Sequence, residues 1–113
     1  MTTPFQLHDI GHLLGVPSEV AADVTPLNMS PFSASSLLRL KANAVYEPAA
    51  APHEERIVVV LGGYATVTVD DCRQTLGSGQ LLTVEPGASL KIWNDSDVEW
   101  SALCIESPPA NQT

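Results

Sequence analysis

The stretch that decides the fold is residues 55–71, ERIVVVLGGYATVTVDD. Its continuous apolar run at 57–61 is too short for a helix before Gly62-Gly63, so it predicts a strand covered on both faces. Residues 64–69, YATVTV, then alternate between polar and apolar side chains, as a strand with one buried face does. Asp70-Asp71 favours a tight hairpin at the end of this second strand.

Short strands and turns continue on both sides of this stretch. Upstream, apolar Leu38 and Leu40 alternate with Arg39 and Lys41, which predicts that the β-barrel begins near Ser35. Downstream, turns rich in Gly, Pro, Asn and Asp separate further short apolar segments. These segments predict strands at 74–76, 81–84, 90–93 and 99–105. Many short strands without helices between them predict an all-β fold, a single antiparallel β-barrel or jelly roll.

The two ends of the chain differ from this central part. Apolar residues at helical spacing before Gly15 and Pro17 predict a short helical or irregular arm over residues 1–34. The barrel is expected over 35–107, and 108–113, which begins with two prolines, is expected to be a flexible tail. A chain of 113 residues is expected to form one domain with a modest core.

Charge and composition exclude several classes of partner. Five Lys and Arg against thirteen Asp and Glu give a net charge of -8, which repels nucleic acid and anionic lipid surfaces. No apolar stretch is long enough for a membrane span and the first residues do not have the pattern of a signal peptide, so we expect no membrane partner and a cytoplasmic location. The two cysteines form no CxxC pair, and Cys104 in an apolar strand is expected to behave as a small hydrophobic residue.

Residues 35–107 resemble the cupin superfamily, whose pattern consists of two motifs. The first ends in E-x6-G, and Glu55 and Gly62 stand at this spacing. The second is G-x5-P-x-G-x2-H-x3-N, with Glu85 here in the place of the proline. Its matching residues are Gly79, Gly87 and Asn94. The resemblance implies the cupin barrel and a homodimer, in which the apolar strand at 57–61 and the N-terminal arm would enlarge a small core.

The metal-binding histidines of the cupin pattern are replaced in this sequence. Counted from Glu55, the two histidines of the first motif fall on Ala49 and Ala51, and the histidine of the second falls on Leu90. Because a transition-metal site needs at least three converging donors, we expect no metal and no cofactor. His53 could join Glu55 in an irregular weak site if the backbone bulged, but a solvated imidazole is the more expected state.

A second pair of histidines lies in the N-terminal arm. His8 and His12 are four residues apart, a spacing that places two imidazoles on one face of a helix and suits zinc when a third ligand is near. Without such a ligand in the neighbouring sequence, a partly buried helix surface is the simpler interpretation.

Glu55 is the candidate functional residue that the resemblance implies. Its carboxyl would point into the barrel, where desolvation raises a carboxyl pKa and suits general acid or base catalysis. The expected lining of this pocket is Ala51, Leu90 and Ile92. The alternative is that Glu55 pairs with Arg39 or Lys41 and is a relic of the metal site. Those two cations share a strand face, so either both line the cavity and anchor an acidic ligand, or both lie in water.

Two functions remain open at this point. In the first, the protein is a metal-free cupin-like protein that binds a small organic molecule in the barrel, with isomerase, cyclase or lyase chemistry by Glu55 if it is an enzyme. In the second, it is a non-catalytic binding or assembly module whose barrel is filled by Ala51 and Leu90. The size and polarity of the interior distinguish the two, because ligand sites are open clefts with a few polar groups.

Overall fold

A computed structural model describes residues 6–30 and 32–107; the predicted tail at 108–113 lies outside the described residues. The described chain has one short helix and nine strands. The elements are α1 (Ile10–Leu14), β1 (Ala22–Met29), β2 (Ala34–Leu40), β3 (Val45–Tyr46), β4 (Glu55–Gly62), β5 (Tyr64–Val69), β6 (Cys72–Gly77), β7 (Leu81–Val84), β8 (Leu90–Trp93) and β9 (Trp100–Ser107).

The strands form two antiparallel sheets, in agreement with the predicted all-β jelly-roll fold. One sheet has the order β1-β2-β9-β4-β7 and the other the order β3-β8-β5-β6. The predicted apolar strand at 57–61 is the centre of β4, which lies between β9 and β7. The predicted hairpin at Asp70-Asp71 joins β5 to β6, and Asp70 adopts a positive φ of 50° there.

The hydrophobic core fills the space between the two sheets, called the interior below. Every second side chain of a strand faces the opposite sheet, and the apolar residues at these positions form the core. On β4 the inward residues Val58 and Val60 are buried while their neighbours are partly exposed. The other buried members of the core are Leu38, Leu40, Ala44, Ala65, Val67, Leu76, Val84, Leu90, Ile92, Trp100, Ala102 and Cys104.

The sheet begins earlier in the chain than the predicted start near Ser35. The segment expected to be an arm contains β1, which pairs with β2 along its whole length and includes a register shift at Pro26. A proline removes a backbone donor and is tolerated on an edge strand, where β1 lies. Among the described residues, the segment outside the sheet is 6–21, which we call the arm.

The arm carries α1 and is held against the outer face of β2. Asp9 caps the helix by accepting a hydrogen bond from the backbone N–H of His12 at 2.9 Å. The guanidinium of Arg39 donates to the carbonyl oxygens of Leu13 and Val16, at 3.4 and 2.7 Å. Within the described part of the chain, no helix has the length and apolar character needed to cross a membrane.

Candidate functional site

Arg56, not Glu55, points into the interior from the beginning of β4. Arg56 is opposite Val84 on β7 and opposite Glu106 on β9, and it is only 9% exposed. Glu55 is the preceding residue of the same strand, so its side chain belongs to the outer face. The predicted inward direction of Glu55 is therefore wrong.

The prediction for Glu55 is wrong because the glycine of the motif could be either Gly62 or Gly63. The E-x6-G spacing was counted to Gly62, but Gly63 has the left-handed backbone, with φ of 79°. A Cβ on Gly63 would lie 2.9 Å from the carbonyl oxygen of Glu99, so this is the position that requires glycine. Counted to Gly63, the same spacing places Arg56 where the motif has its glutamate.

Polar groups from two strands and one turn meet around Arg56, at what we call the Arg56 end of the interior. Glu106 and Cys104 are inward residues of β9, because they continue the buried alternation of that strand. Tyr46 comes from β3, and Glu54 from the turn before β4. Tyr46, Glu54 and Glu106 are partly exposed, so this end of the interior is reached by solvent. This cluster was not predicted because its members come from separate segments of the chain.

The guanidinium of Arg56 is fixed at one end and incompletely partnered at the other. Its Nη2 donates to the carbonyl oxygen of Ala49 at 2.7 Å. Its Nε lies 3.6 Å from Oε1 of Glu106, an ion-pair distance but too long for a hydrogen bond. Among the described residues, this buried Nε has no hydrogen-bond partner. A buried donor without an acceptor is uncommon and costs free energy, which marks this position as a candidate site.

Glu106 lies next to the carboxyl of Glu54. Burial raises the pKa of Glu106, and its hydrogen bond to the Glu54 carboxyl raises it further, while Arg56 acts in the opposite direction. Two neighbouring carboxyls resist double ionisation, so one of them keeps a proton to a higher pH than usual. The result is a proton donor and acceptor beside a buried cation.

Burial raises the pKa of two other groups at this end. For Tyr46, burial is the main cause, followed by the nearby Cys104 and Glu106. For Cys104, burial and Glu106 raise the pKa to about 12, so the thiol stays protonated at neutral pH. Cys104 is thus a small buried residue, as predicted, and no thiolate nucleophile is available there.

We predict that Glu106 makes stability fall as pH rises. Because its pKa is raised in the folded state, its contribution is complete below the ordinary glutamate pKa and is lost as pH rises through the raised value. Glu106→Gln removes this titration, so the Tm of the variant should rise relative to wild type as pH increases from the ordinary glutamate pKa through the raised pKa of Glu106. Glu55→Gln, which deletes a carboxyl from the outer face, controls for the change in net charge. Equal pH profiles for the two variants would contradict the prediction.

The other residues predicted to line the pocket fall into two groups. Leu90 and Ile92 face the interior and are fully buried in the core. Ala51 is partly exposed at the Arg56 end, where its carbonyl oxygen accepts hydrogen bonds from the N–H groups of Glu54 and Gly87. His53 is exposed in the turn before β4, which agrees with the solvated alternative.

The cations expected near Glu55 lie away from the interior. Arg39 alternates with the core residues of β2 and is buried under the arm, 3.5 Å from the Glu99 carboxylate. Lys41 follows the end of β2 and is exposed. Neither residue can anchor a ligand between the sheets. His8 precedes the helix cap and His12 lies within α1, so the two do not share a helix face.

The residues present do not fit the metal site that cupins often carry. The imidazole positions of the first motif fall on Ala49 and Ala51 when counted from Glu55 and on Ala50 and Pro52 when counted from Arg56, so neither frame supplies a histidine. The position of the second motif holds Leu90, and the carboxylate position holds Arg56, whose charge repels a metal cation. Over residues 6–30 and 32–107, no three His, Cys, Asp or Glu side chains form a group that could hold a metal ion.

Several solved structures share this fold at low sequence identity. The protein TT1209 from Thermus thermophilus superposes with a TM-score of 0.82 at 17% identity, covering 92% of this chain and 98% of its own. The cupin domain of Schizosaccharomyces pombe Cnp3 gives 0.77 at 18% identity, over 86% and 72% of the two chains. The cupin domain of an XRE family transcriptional regulator from Enterobacter cloacae gives 0.73 at 19% identity, over 80% and 99%.

The sequence comparisons agree with the structural ones at the level of the family. No curated protein sequence matches the chain. The family model Cupin_2, described as a cupin domain, matches residues 36–106, which is more than half of the chain. This match coincides with β2 to β9 and contains the two motifs. The chain therefore belongs to the cupin family.

Proposed function

We propose that this cupin domain binds a small organic molecule at the Arg56 end of its interior, without a metal ion. The observation that carries the proposal is the buried guanidinium of Arg56, whose Nε lacks a hydrogen-bond acceptor within the described residues. A ligand atom that accepts this bond would remove the cost of the unpaired donor.

The surroundings of Arg56 have the composition of a ligand site. Such sites combine apolar walls with a few polar groups that orient the ligand. Here the apolar neighbours of Arg56 are Val58, on the same face of β4, and Val84, opposite it on β7, while Tyr46 and Glu106 supply polar groups. The partial exposure of Tyr46 and Glu106 provides the entrance.

The proposal includes acid/base chemistry of the isomerase, cyclase or lyase type, with Glu106 in the role first expected for Glu55. A carboxyl with a raised pKa exchanges protons closer to neutral pH than an ordinary one. Glu54 lies beside Glu106 and both residues are partly exposed, so the Glu106 carboxyl can exchange protons with water. Glu55 lies on the outer face of β4 and takes no part.

Methyl NMR with a library of small organic fragments tests this proposal. Fragments that bind should shift the methyl resonances of Val58 and Val84, which face the interior next to Arg56. The methyl groups of Leu81 are the matched control, because Leu81 lies on the same strand as Val84 and is exposed on the outer face. The proposal fails if the fragments that bind shift only Leu81 and other outer residues.

The second function, a non-catalytic binding or assembly module, is favoured by the packing of the core beyond the Arg56 end. Ile92 and Trp100 are fully buried, so the interior beyond the Arg56 end is filled by side chains. Two of the similar structures are cupin domains of larger proteins, one of them a transcriptional regulator. These observations support a binding or assembly module. In that case the interior methyl groups should respond to no fragment.

The proposal also includes a homodimer formed through the outer face of the five-stranded sheet. The strand registers place two apolar rows next to each other on this face, and most of their side chains are only partly buried. One row is Leu81, Val59, Leu103 and Leu37, and the other contains Ile57 and Ile105. Because these rows carry no charge on a chain of net charge -8, this is the face on which two acidic copies can approach.

We predict that Val59→Glu converts this dimer into a monomer. The substitution places a charge in the middle of the apolar rows, where pairing would desolvate it in both copies. Thr75→Glu, on the exposed outer face of the other sheet, is the control and should leave the dimer intact. Light scattering during gel filtration measures the mass. A wild-type monomer at micromolar concentration would contradict the prediction.

A further inference from the structure

We infer that the ligand of this domain is an uncharged amphiphile, a hydrocarbon chain with a hydroxyl head, and that its chain lies on the inner face of β1 and β2. This inference rests on the proposed function and adds the chemical class of the ligand. The surface that holds the chain, called the β1–β2 trough below, begins at the edge of the five-stranded sheet and ends beside Glu106. It consists of Pro26, Met29, Ala34 and Ser36.

The strand β1 exposes its apolar side and partly buries its polar side. Its four inward residues are all apolar and all exposed: Ala22, Val24, Pro26 and Met29. Met29 is 82% exposed. The residues between them on the outer face are polar and partly buried: Asp23, Thr25 and Asn28. Because a strand ordinarily buries its apolar side, this reversed arrangement marks a surface that another molecule covers.

The inner face of β1 is open because the five-stranded sheet extends beyond the four-stranded one. Tyr46 lies on β3, the edge strand of the smaller sheet, and it is close to Cys104 and Glu106 of β9. In the larger sheet, β2 and then β1 are the next strands outward from β9. At this end β3 therefore stands over β9, and β2 and β1 extend past it.

The floor of the trough comes from small residues of β2. Its inward residues at this end, Ala34 and Ser36, are partly exposed. Further along the same strand, Leu38 and Leu40 are fully buried in the core. The change from leucine to small side chains leaves space over the sheet beside Met29, and this space is the trough.

The trough leads directly to the Arg56 end. The strand registers place Met29, Ala34, Glu106 and Arg56 in one row across the inner face of the sheet. Neighbouring strands are separated by about 5 Å, so the row from β1 to β9 spans roughly 10 Å. A molecule of this length has its outer end on apolar side chains and its inner end on polar ones.

The size of the trough favours an organic molecule over a protein partner. A stable protein–protein interface buries roughly 800 Å² and about 20–30 residues on each side. The trough has four residues, and only Ala22 and Val24 extend it along β1. A second copy or another protein would leave most of its own contact surface uncovered here, whereas a single hydrocarbon chain covers the strip.

The polar groups at the inner end define the head of the ligand. Oε1 of Glu106 lies 3.6 Å from Nε of Arg56, so these two charges offset each other and the site needs no further ion. The net charge of -8 also disfavours an anionic head. The hydroxyl of Tyr46 and the carboxyl of Glu106 are both hydrogen-bonding groups, and an alcohol can donate to one and accept from the other. The expected head is therefore a hydroxyl.

The primary alcohols ethanol, butanol and hexanol test the inference, with NMR titration of the methyl groups of Met29 and Ala34 as the readout. Affinity should rise about threefold for each added CH2 group, because each one buries apolar surface on the trough. Hexanoate has a similar chain with an anionic head and should bind more weakly than hexanol. The methyl groups of Val98, an exposed valine at the opposite end of β2, are the control and should not shift.

A pair of leucine substitutions on β2 tests the position of the chain. Ala34→Leu fills the floor of the trough and should weaken hexanol binding by about tenfold or more. Ser35→Leu is the matched control, because it adds the same side chain to the outer face of the strand one residue away. It should leave the affinity unchanged. Equal effects of the two substitutions would contradict the inference.

The remaining outcomes separate the inference from the proposed function. Shifts at Val58 and Val84 that do not depend on chain length, with none at Met29 and Ala34, would overturn the trough and leave the small-molecule site. Tighter binding of hexanoate than of hexanol would overturn the uncharged head. If no alcohol and no fragment shifts any of these inward methyl groups, the site itself is wrong. The wild-type alcohol series decides the matter even if a β2 variant fails to fold.

Discussion

Gly63→Ala should destabilise the protein by about 3 kcal/mol or more, because two costs coincide at this glycine. The backbone has φ of 79°, a left-handed conformation that disfavours any residue with a Cβ. The new Cβ would also lie 2.9 Å from the carbonyl oxygen of Glu99 and 3.2 Å from Cα of Trp100. Both contacts are with backbone at the start of β9, so a rotamer change cannot relieve them.

Gly79→Ala is the control that separates these two costs. Gly79 has a similar positive φ of 84°, but a Cβ there meets no atom within 4 Å. Its substitution should cost only about 1 kcal/mol, from the backbone conformation alone. Urea unfolding of the two variants measures the difference. Equal losses would contradict the close approach of Gly63 to β9, on which the register of Arg56 depends.

Trp100→Ala should also destabilise the protein, by about 3 to 5 kcal/mol. Trp100 is 0% exposed within the core, and its indole N–H donates to the carbonyl oxygen of Leu76 at 3.3 Å. The substitution leaves a large cavity and an unpaired carbonyl. Because small domains are stable by only about 5–15 kcal/mol, the variant should be partly unfolded at moderate temperature.

Trp93→Ala is the matched control for Trp100→Ala. Trp93 ends β8 on the outer face of the four-stranded sheet and is 38% exposed. Its loss should cost less, since more than a third of the residue is already exposed and its removal leaves no closed cavity. Thermal and urea unfolding of both variants provide the comparison. A larger loss for Trp93 than for Trp100 would mean that the two sheets do not face each other as described.

Much of the fold could be predicted because it depends on local signals. Alternation and turn residues located every strand except two, from the alternating segment of β2 to the apolar segment of β9. The strand β1 was missed because it contains Pro26 and has an exposed face, and β3 because it has only two residues, Val45 and Tyr46, so neither shows a clear period. Pairing with β2 and β8 makes them strands.

The candidate site was harder to predict because it depends on register. A shift of one residue exchanges the two faces of a strand. The glutamate position of the motif falls on Glu55 when counted from Gly62 and on Arg56 when counted from Gly63, so the sequence allowed both registers. Arg56, Val58 and Val60 are two residues apart from one another, so they lie on the same face of the strand. This spacing was the signal in the sequence that could have identified Arg56 as the inward residue. Glu106 is similarly two residues beyond the buried Cys104. Contacts between β3, β4 and β9 complete the cluster, and no local pattern encodes them.

The departures from the cupin pattern then have a single physical interpretation. Leu90 stands at a position where a histidine would bind a metal, and it packs in the core. Arg56 stands where a carboxylate would bind one, and it brings a positive charge instead. We propose that these replacements make the interior less favourable for a metal cation. The central claim is therefore that a guanidinium replaces the metal site in this cupin.

The metal content of the purified protein tests that claim most directly. The protein is incubated with zinc, iron, nickel or manganese, passed through gel filtration, and analysed for elements. We predict well below one metal ion per chain for every metal, because Ala49, Ala51, Leu90 and Arg56 supply no donor set. Close to one ion per chain, retained through gel filtration and lost in a variant of an interior residue, would contradict the claim.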